Sequence, residues 1–391
     1  MAARPLSPSA KDTILEIPLS SGTQDIARTE MSDSDAYAFV RTCLSYRPDP
    51  ARREAVQSFV EAGVDWEAVQ RKARYHRVLP LFFRALEDLL GPQCPPPMRE
   101  QSRKHRRGVR IQNTFVVQEL GRIHRRFEEA GLPLLAMKGP VLAQASYGDI
   151  ALRQSVDADV AIPGDQFADA DRLLRELGYE YAPKRKGMSG GRATLSRYLD
   201  GQWEFTRGNT FTLDVHTRLM PPGYSFSSDF HTFWKRARPV RLADDAVVQG
   251  FSPEDRLLVL VHHGIKNQWR ALRHVADVAA TVQGEDIDWN GVGERAEAMN
   301  ATRALGLGLH MAHDLLDVGL PDHVEDRFLD NSTENVSASM KSYLQSCPQQ
   351  SALPFTERMR LQMATKDTVM DQVRYGMHSA LQHLWSSLLK P

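Results

Sequence analysis

The sequence predicts an α+β protein, in which a small mixed β-sheet core is flanked by N-terminal and C-terminal helical regions. Three observations predict it. Apolar residues recur at three- and four-residue spacings before about residue 130 and again after Ser252, as on amphipathic helices. Between these stretches lie segments of strand length: "LPLLAMKG" (132–139), "SVDADVAI" (155–162) and "QWEFTRGNTFTLDVHTRL" (202–219). Helical patterns separate the first two strands and follow the second, which predicts a compact unit of sheet and flanking helices.

Taken in order, residues 1–32 are rich in Ser, Pro, Ala and Thr and predict a disordered or surface arm. An N-terminal helical region follows over 33–130. "SDSDAYAFVRTCL" and "REAVQSFVEAG" carry helical spacing, and "VDWEAVQRKARYHRVLPLFFRALEDLL" opens on Asp65 as an N-cap. "CPPP" at 94–97 breaks the pattern before a long helix, expected from about Met98 to Ala130 and ended by Gly131. The core spans 131–222, where "PVLAQASYG" is a helix with proline in its first turn and "GDQFADADRLLRELGYE" an amphipathic helix. The last segment is a hairpin around Gly208 and Asn209. A C-terminal helical region is expected over 223–391. Its clearest element is one helix across "SPEDRLLVLVHHGIKNQWRALRHVADVAATV"; helices at about 291–316 and 355–388 flank "DNSTENVSASMKS", which reads as a loop.

At 391 residues the chain can bury a substantial core. Lys plus Arg equals Asp plus Glu at 49 each, so the overall basic balance that points to nucleic acid is absent, and nucleic acid is not a favoured partner. Cys43, Cys94 and Cys347 are widely spaced and match no metal-ligand pattern, as for ordinary thiols in a reduced compartment. The first residues lack the apolar core of a secretory signal, and no apolar run is long enough to span a bilayer. A cytoplasmic protein without a membrane partner is expected; oligomeric state cannot be read.

The chemistry begins at Asp157 and Asp159. In a strand both carboxylates point to one face, and their repulsion is costly unless a cation sits between them. Asp214 lies on a later strand with His216 on its own face. Three acids on neighbouring strands can hold two Mg²⁺ ions about 4 Å apart, an arrangement suited to phosphoryl transfer. The basic run "RKHRRGVR" (103–110) reads as a solvated helix surface, and "KRKGMSGGR" (184–192) as a loop without P-loop spacing.

"LPLLAMKGPVLAQASYGDIALRQSVDADVAIP" followed by "LDVHTRL" resembles a bacterial nucleotidyltransferase-like family of the polymerase-β-like superfamily. That family carries a Lys-Gly motif, an Arg before an Asp-x-Asp strand and a later Asp/Glu-x-His strand. "DWEAVQRKARYHRVLPLFFRAL" and "HGIKNQWRALRHVADV" resemble its flanking helical parts. The resemblance implies that Asp157, Asp159 and Asp214 bind metal and that Asp214 is also able to deprotonate an acceptor. Lys138 and Gly139 are expected at a triphosphate, where glycine admits the phosphate and lysine adds charge. Arg153 is expected on phosphate or, equally, in a structural ion pair, Lys266 on phosphate, Asp277 on a base, and His216 and His263 in support. Thr217 stands where the family often has Trp.

The resulting expectation is an enzyme that uses Mg²⁺, or Mn²⁺, to move a nucleoside monophosphate from an NTP co-substrate to an unidentified acceptor, releasing pyrophosphate. The acceptor is a small molecule, peptide or protein, and ATP is one candidate donor. Two other readings compete: a catalytically silent nucleotide-binding scaffold, and a toxin-like enzyme acting on tRNA.

Overall fold

A computed structural model describes residues 31–47, 49–182, 201–208, 211–219, 229–243, 246–329, 331–346 and 353–388. The loop 184–192, Asn209 and nearly all of the expected arm lie outside the described residues. The chain opens with α1 (Asp33–Leu44), α2 (Asp49–Ala62), α3 (Trp66–Tyr75) and α4 (Leu79–Leu90). Asp65 caps α3 by accepting from the amides of Glu67 and Ala68. Between α3 and α4 the backbone turns at Arg77, which takes a left-handed φ of 57°. The long α5 (Pro96–Glu129) follows, and Gly131 supplies the positive φ of 69° just beyond it.

Then come β1 (Leu135–Ala136), α6 (Pro140–Tyr147), β2 (Asp157–Ala161), α7 (Phe167–Glu176), β3 (Glu180–Tyr181), β4 (Gln202–Arg207) and β5 (Phe211–His216). After α8 (Phe230–Arg236), β6 (Arg238–Ala243) and β7 (Ala246–Gly250) form a hairpin in a stretch expected to be helical. The sheet order is β3-β4-β5-β2-β1-β7-β6. β2 runs parallel to β5 and β1 parallel to β7, while the other pairs are antiparallel, so the sheet is mixed.

Strand alternation gives the sheet two unlike faces. Ala158, Val160, Trp203, Phe205, Leu213 and Val215 pack on Val116, Leu120, Ile123 and Phe127 of α5 and Leu174 of α7. The opposite face carries the acids. The helices before and after the sheet share a second core, in which Phe39 and Phe82 join the same cluster as Leu258 and Leu305.

The C-terminal part comprises α9 (Pro253–Lys266), α10 (Leu272–Gly284), α11 (Trp289–Ala298), α12 (Thr302–Leu316), α13 (Asp322–Phe328), α14 (Asn331–Ser346), α15 (Phe355–Ala364) and α16 (Val369–Leu388). The single helix expected from Ser252 is two, because Gln268 and Trp269 take left-handed φ values of 58° and 48°. Trp269, fully buried, folds back over Gly264, where an added Cβ would lie 2.6 Å from the indole ring. Gly264 thus makes room for the turn. The polar stretch expected as a loop is helix α14, anchored by buried Val336, Met340 and Leu344 at four-residue intervals. The pattern over 291–316 is likewise divided between α11 and α12. No described helix is long and apolar enough to cross a membrane.

Candidate active site

The register of β2 against β5 sets the acids. Asp159 stands directly opposite Asp214, Asp157 opposite Thr212 and Ala161 opposite His216. Opposed residues of paired strands share a face, so Asp157, Asp159, Asp214 and His216 all project from the face away from α5. β4 adds a fourth acid, since Glu204 lies opposite Asp214 on the other side. Sequence reasoning passed over Glu204, although its place between buried Trp203 and Phe205 in an alternating strand signalled the same face.

Lys138 follows β1 and reaches Asp159, with Nζ 3.1 Å from Oδ1. The same oxygen accepts from Nε2 of His216 at 3.2 Å, a bond that puts the His216 proton on Nε2. Burial alone would raise the Asp159 pKa, but Lys138, then His216 and His263, hold it well below the usual carboxylate range. Burial lowers the pKa of His216 against the pull of Asp159, so the pair is a carboxylate and a neutral imidazole. Gly139, with φ of 68°, forms the turn from β1 into α6; a side chain there would be strained and would meet the Asp157 carbonyl and Ser155 Oγ at 3.4 and 3.5 Å.

His263 and Lys266 come from the end of α9. Burial, then Lys138 and His274, lowers the His263 pKa far below its ordinary value, and Asp159 opposes them. Lys266 acts electrostatically on both His216 and His263. Lys138, Gly139, Asp159, Asp214, His216, His263 and Lys266 therefore converge.

Arg153 and Asp277 form an ion pair, the arrangement expected for Arg153 equally with a phosphate contact. They bind each other, Nε to Oδ1 at 2.9 Å and Nη2 to Oδ2 at 3.1 Å, with side chains only 5% and 1% exposed. Tyr147 of α6 donates to Asp277 Oδ1 at 2.9 Å, and Asn113 of α5 donates to the Arg153 carbonyl at 2.8 Å. This network ties the approach to β2 to α5, α6 and α10. The basic run on α5 is largely paired as well: Arg103 with Glu100, Arg106 with Glu87 and Arg110 with Asp149.

The donor set suits a hard cation in type, since Asp157, Asp159 and Asp214 offer carboxylate oxygens from adjacent strands. Their side chains do not surround a single point: among the described residues no group of three or more His, Cys, Asp or Glu is placed to hold a metal ion. Asp159 instead points an oxygen at Lys138 and His216.

Comparisons with known proteins bear on this site. No curated protein matches the chain significantly. Among solved structures, a crystal structure of ANT(2'')-Ia in complex with adenylyl-2''-tobramycin aligns at 15% identity and a TM-score of 0.32, over 47% of this chain and 97% of that one. A solution structure of the antibiotic-resistance factor ANT(2'')-Ia aligns at 16% identity and a TM-score of 0.33, over 51% of this chain and 99% of that one. At such TM-scores the likeness carries no weight for fold or chemistry. The family described as "Uncharacterised nucleotidyltransferase" matches residues 62–317, which span the sheet, the acids and α9 to α12. The chain belongs to that family and is a nucleotidyltransferase.

Proposed function

We propose that the chain transfers a nucleoside monophosphate from an NTP to an acceptor hydroxyl on a small molecule, peptide or protein, with release of pyrophosphate. The observation that carries this reading is the placement of Asp159 opposite Asp214 on parallel neighbours, with Lys138 on Asp159. Asp157, Asp159 and Asp214 would hold divalent metal, Mg²⁺ or Mn²⁺. Bound there, such a cation stabilises the charge that develops on the phosphates.

The chain's own residues do the rest. The acceptor oxygen attacks the α-phosphorus in line, the bond to the bridging oxygen breaks, and the hydroxyl proton passes to Asp214. Lys138 exchanges Asp159 for the triphosphate, and the side-chain-free turn at Gly139 lets the backbone approach it. His216 keeps its bond to Asp159 and fixes the carboxylate while Lys138 moves. Arg153 and Asp277 position β2.

The test supplies wild type with Mg²⁺, α-labelled NTPs and a panel of hydroxyl-bearing acceptors, and follows labelled product and pyrophosphate. Asp159→Asn and Asp214→Asn are expected to lower turnover by roughly a thousandfold or more while both variants stay folded in urea denaturation, Asp159→Asn at a midpoint lowered by the loss of its Lys138 ion pair. Full turnover in both variants would sink the assignment.

A further inference from the structure

Two turns far apart in sequence meet beside β2. Both hold non-glycine residues in left-handed backbone: Arg77 between α3 and α4, and Gln268 with Trp269 between α9 and α10. Such conformations persist where surrounding structure enforces them, and they cluster at ligand sites. The amide of Arg273 donates to the His76 carbonyl at 3.2 Å, which locks the turns together. Arg77, Arg270, Arg273 and His274 are thereby gathered at the start of α10.

Three polar atoms here are left without partners among the described residues. The Arg273 guanidinium reaches the Gln154 carbonyl at 3.5 Å through Nη1, but its Nε is buried with no hydrogen-bond partner. No carboxylate pairs with it among the described residues. Ser155, 5% exposed, has a hydroxyl with no partner and lies against the Gly139 turn. His274, 8% exposed, has an unpartnered Nδ1, and its ring meets that of His263 edge-on at 5.5 Å.

Several arginines act on this point, with Asp277 and Asp157 opposing them. Burial, then Arg273, Arg77, Arg153 and Arg270, holds His274 neutral far below its ordinary pKa. Burial, then Arg153, lowers the Arg273 pKa to about 10, with Arg77 adding to the fall and Asp277 and Asp157 opposing it. Arg153 is already neutralised by Asp277. A desolvated guanidinium with no anion in hydrogen-bonded contact is costly, and its planar fork fits two oxygens of a phosphate.

We propose that Arg273 and Ser155, backed by His274 and the charges of Arg77 and Arg270, form the seat for the β- and γ-phosphates of the NTP, the part that departs as pyrophosphate. The seat rests on the nucleotidyl-transfer reading and adds selectivity to it. Lys138 and the acids serve the phosphate under attack, while Arg273 reads whether a polyphosphate tail is present. Affinity should therefore rise with the number of phosphates.

Calorimetric titration in Mg²⁺ buffer of inorganic tripolyphosphate, each NTP and each NMP tests this on wild type, Arg273→Gln, Arg273→Lys and Ser155→Ala. Wild type is expected to bind tripolyphosphate and at least one NTP. Arg273→Gln should weaken both by roughly 10- to 100-fold while NMP affinity changes less than about twofold, and Arg273→Lys should restore part of the loss. Unchanged tripolyphosphate affinity in Arg273→Gln, equal losses for NTP and NMP, or no binding to wild type would overturn the seat. If Arg273→Gln fails to fold, unchanged tripolyphosphate affinity in both Arg273→Lys and Ser155→Ala overturns it instead. Tripolyphosphate bound through Arg273 by an enzyme that yields no labelled product with any donor would keep the seat and remove the transfer reaction. Product formed with undiminished NTP affinity in Arg273→Gln would do the reverse.

Discussion

At Asp159 a lysine and a histidine share one carboxylate oxygen, whereas at Asp277 a single arginine takes both oxygens and Tyr147 donates to one of them. Both carboxylates stand within one site, yet the first pair is monodentate and the second is bidentate and more deeply buried. The lysine is a point charge on a flexible stem that can turn to another anion. The arginine is fixed by its fork geometry and by burial that keeps solvent from replacing its partner. The difference is between a cation able to change its partner and one locked to it.

The largest expected effect tests the fixed pair. Asp277→Ala leaves Arg153 charged and buried, and should cost about 3–5 kcal/mol in urea denaturation. The double variant Arg153→Met, Asp277→Leu should recover much of that loss, because it removes the charge along with its partner. A cost for Asp277→Ala below about 1 kcal/mol would erase the contrast.

Lys138→Met should cost less, roughly 1–2 kcal/mol, since His216 stays on Asp159. The same variant should bind Mn²⁺ more tightly in the absence of nucleotide, because nothing cationic competes for Asp159, and should raise KM for the NTP. Destabilisation equal to that of Asp277→Ala, with unchanged Mn²⁺ affinity, would make Lys138 a structural residue.

A further effect sharpens the comparison through pH. His76 accepts from the Leu272 amide at the start of α10, and burial, then Lys72, lowers its pKa to about 3. Its unfolded value is near 6.5, so below that pH the unfolded chain binds the extra proton. Stability present above about pH 6.5 should fall toward pH 3 at up to about 1.4 kcal/mol per pH unit from this residue. His105, lowered to about 4, acts in the same direction. Urea midpoints compared at about pH 7 and about pH 4 should show a shallower acid loss in His76→Gln; an unaltered slope would exclude His76 as the cause.

Much of this arrangement was legible because it follows from short-range periodicity. The spacing of Asp157 and Asp159 put them on one face before any partner strand was known, and the His216 spacing did the same for Asp214. Gly131 announced the end of α5 through its backbone freedom. What escaped was decided by distant contacts. The turn at Gln268 and Trp269 contains no glycine or proline, and exists because the indole packs over Gly264. α14 has a narrow apolar stripe that becomes a core face only against α12. For Arg153 the sequence left a phosphate contact and an ion pair open, and nothing local named Asp277, 124 positions away, as the partner. Arg77 drew no notice, since only the folded chain brings it to the start of α10.

The junction of the α3–α4 turn, the approach to β2 and the start of α10 also matters in time. On the ribosome the α3–α4 turn and the acids of β2 and β5 are made well before α10, and contacts of such wide sequence separation are slow to close. Until Asp277 and Arg273 have been made, β2 lacks its brace and the polyphosphate tail has no seat. A nascent chain that has not reached α10 would carry the acids without the means to use them, so the order of synthesis itself delays nucleotide chemistry until α10 has been made.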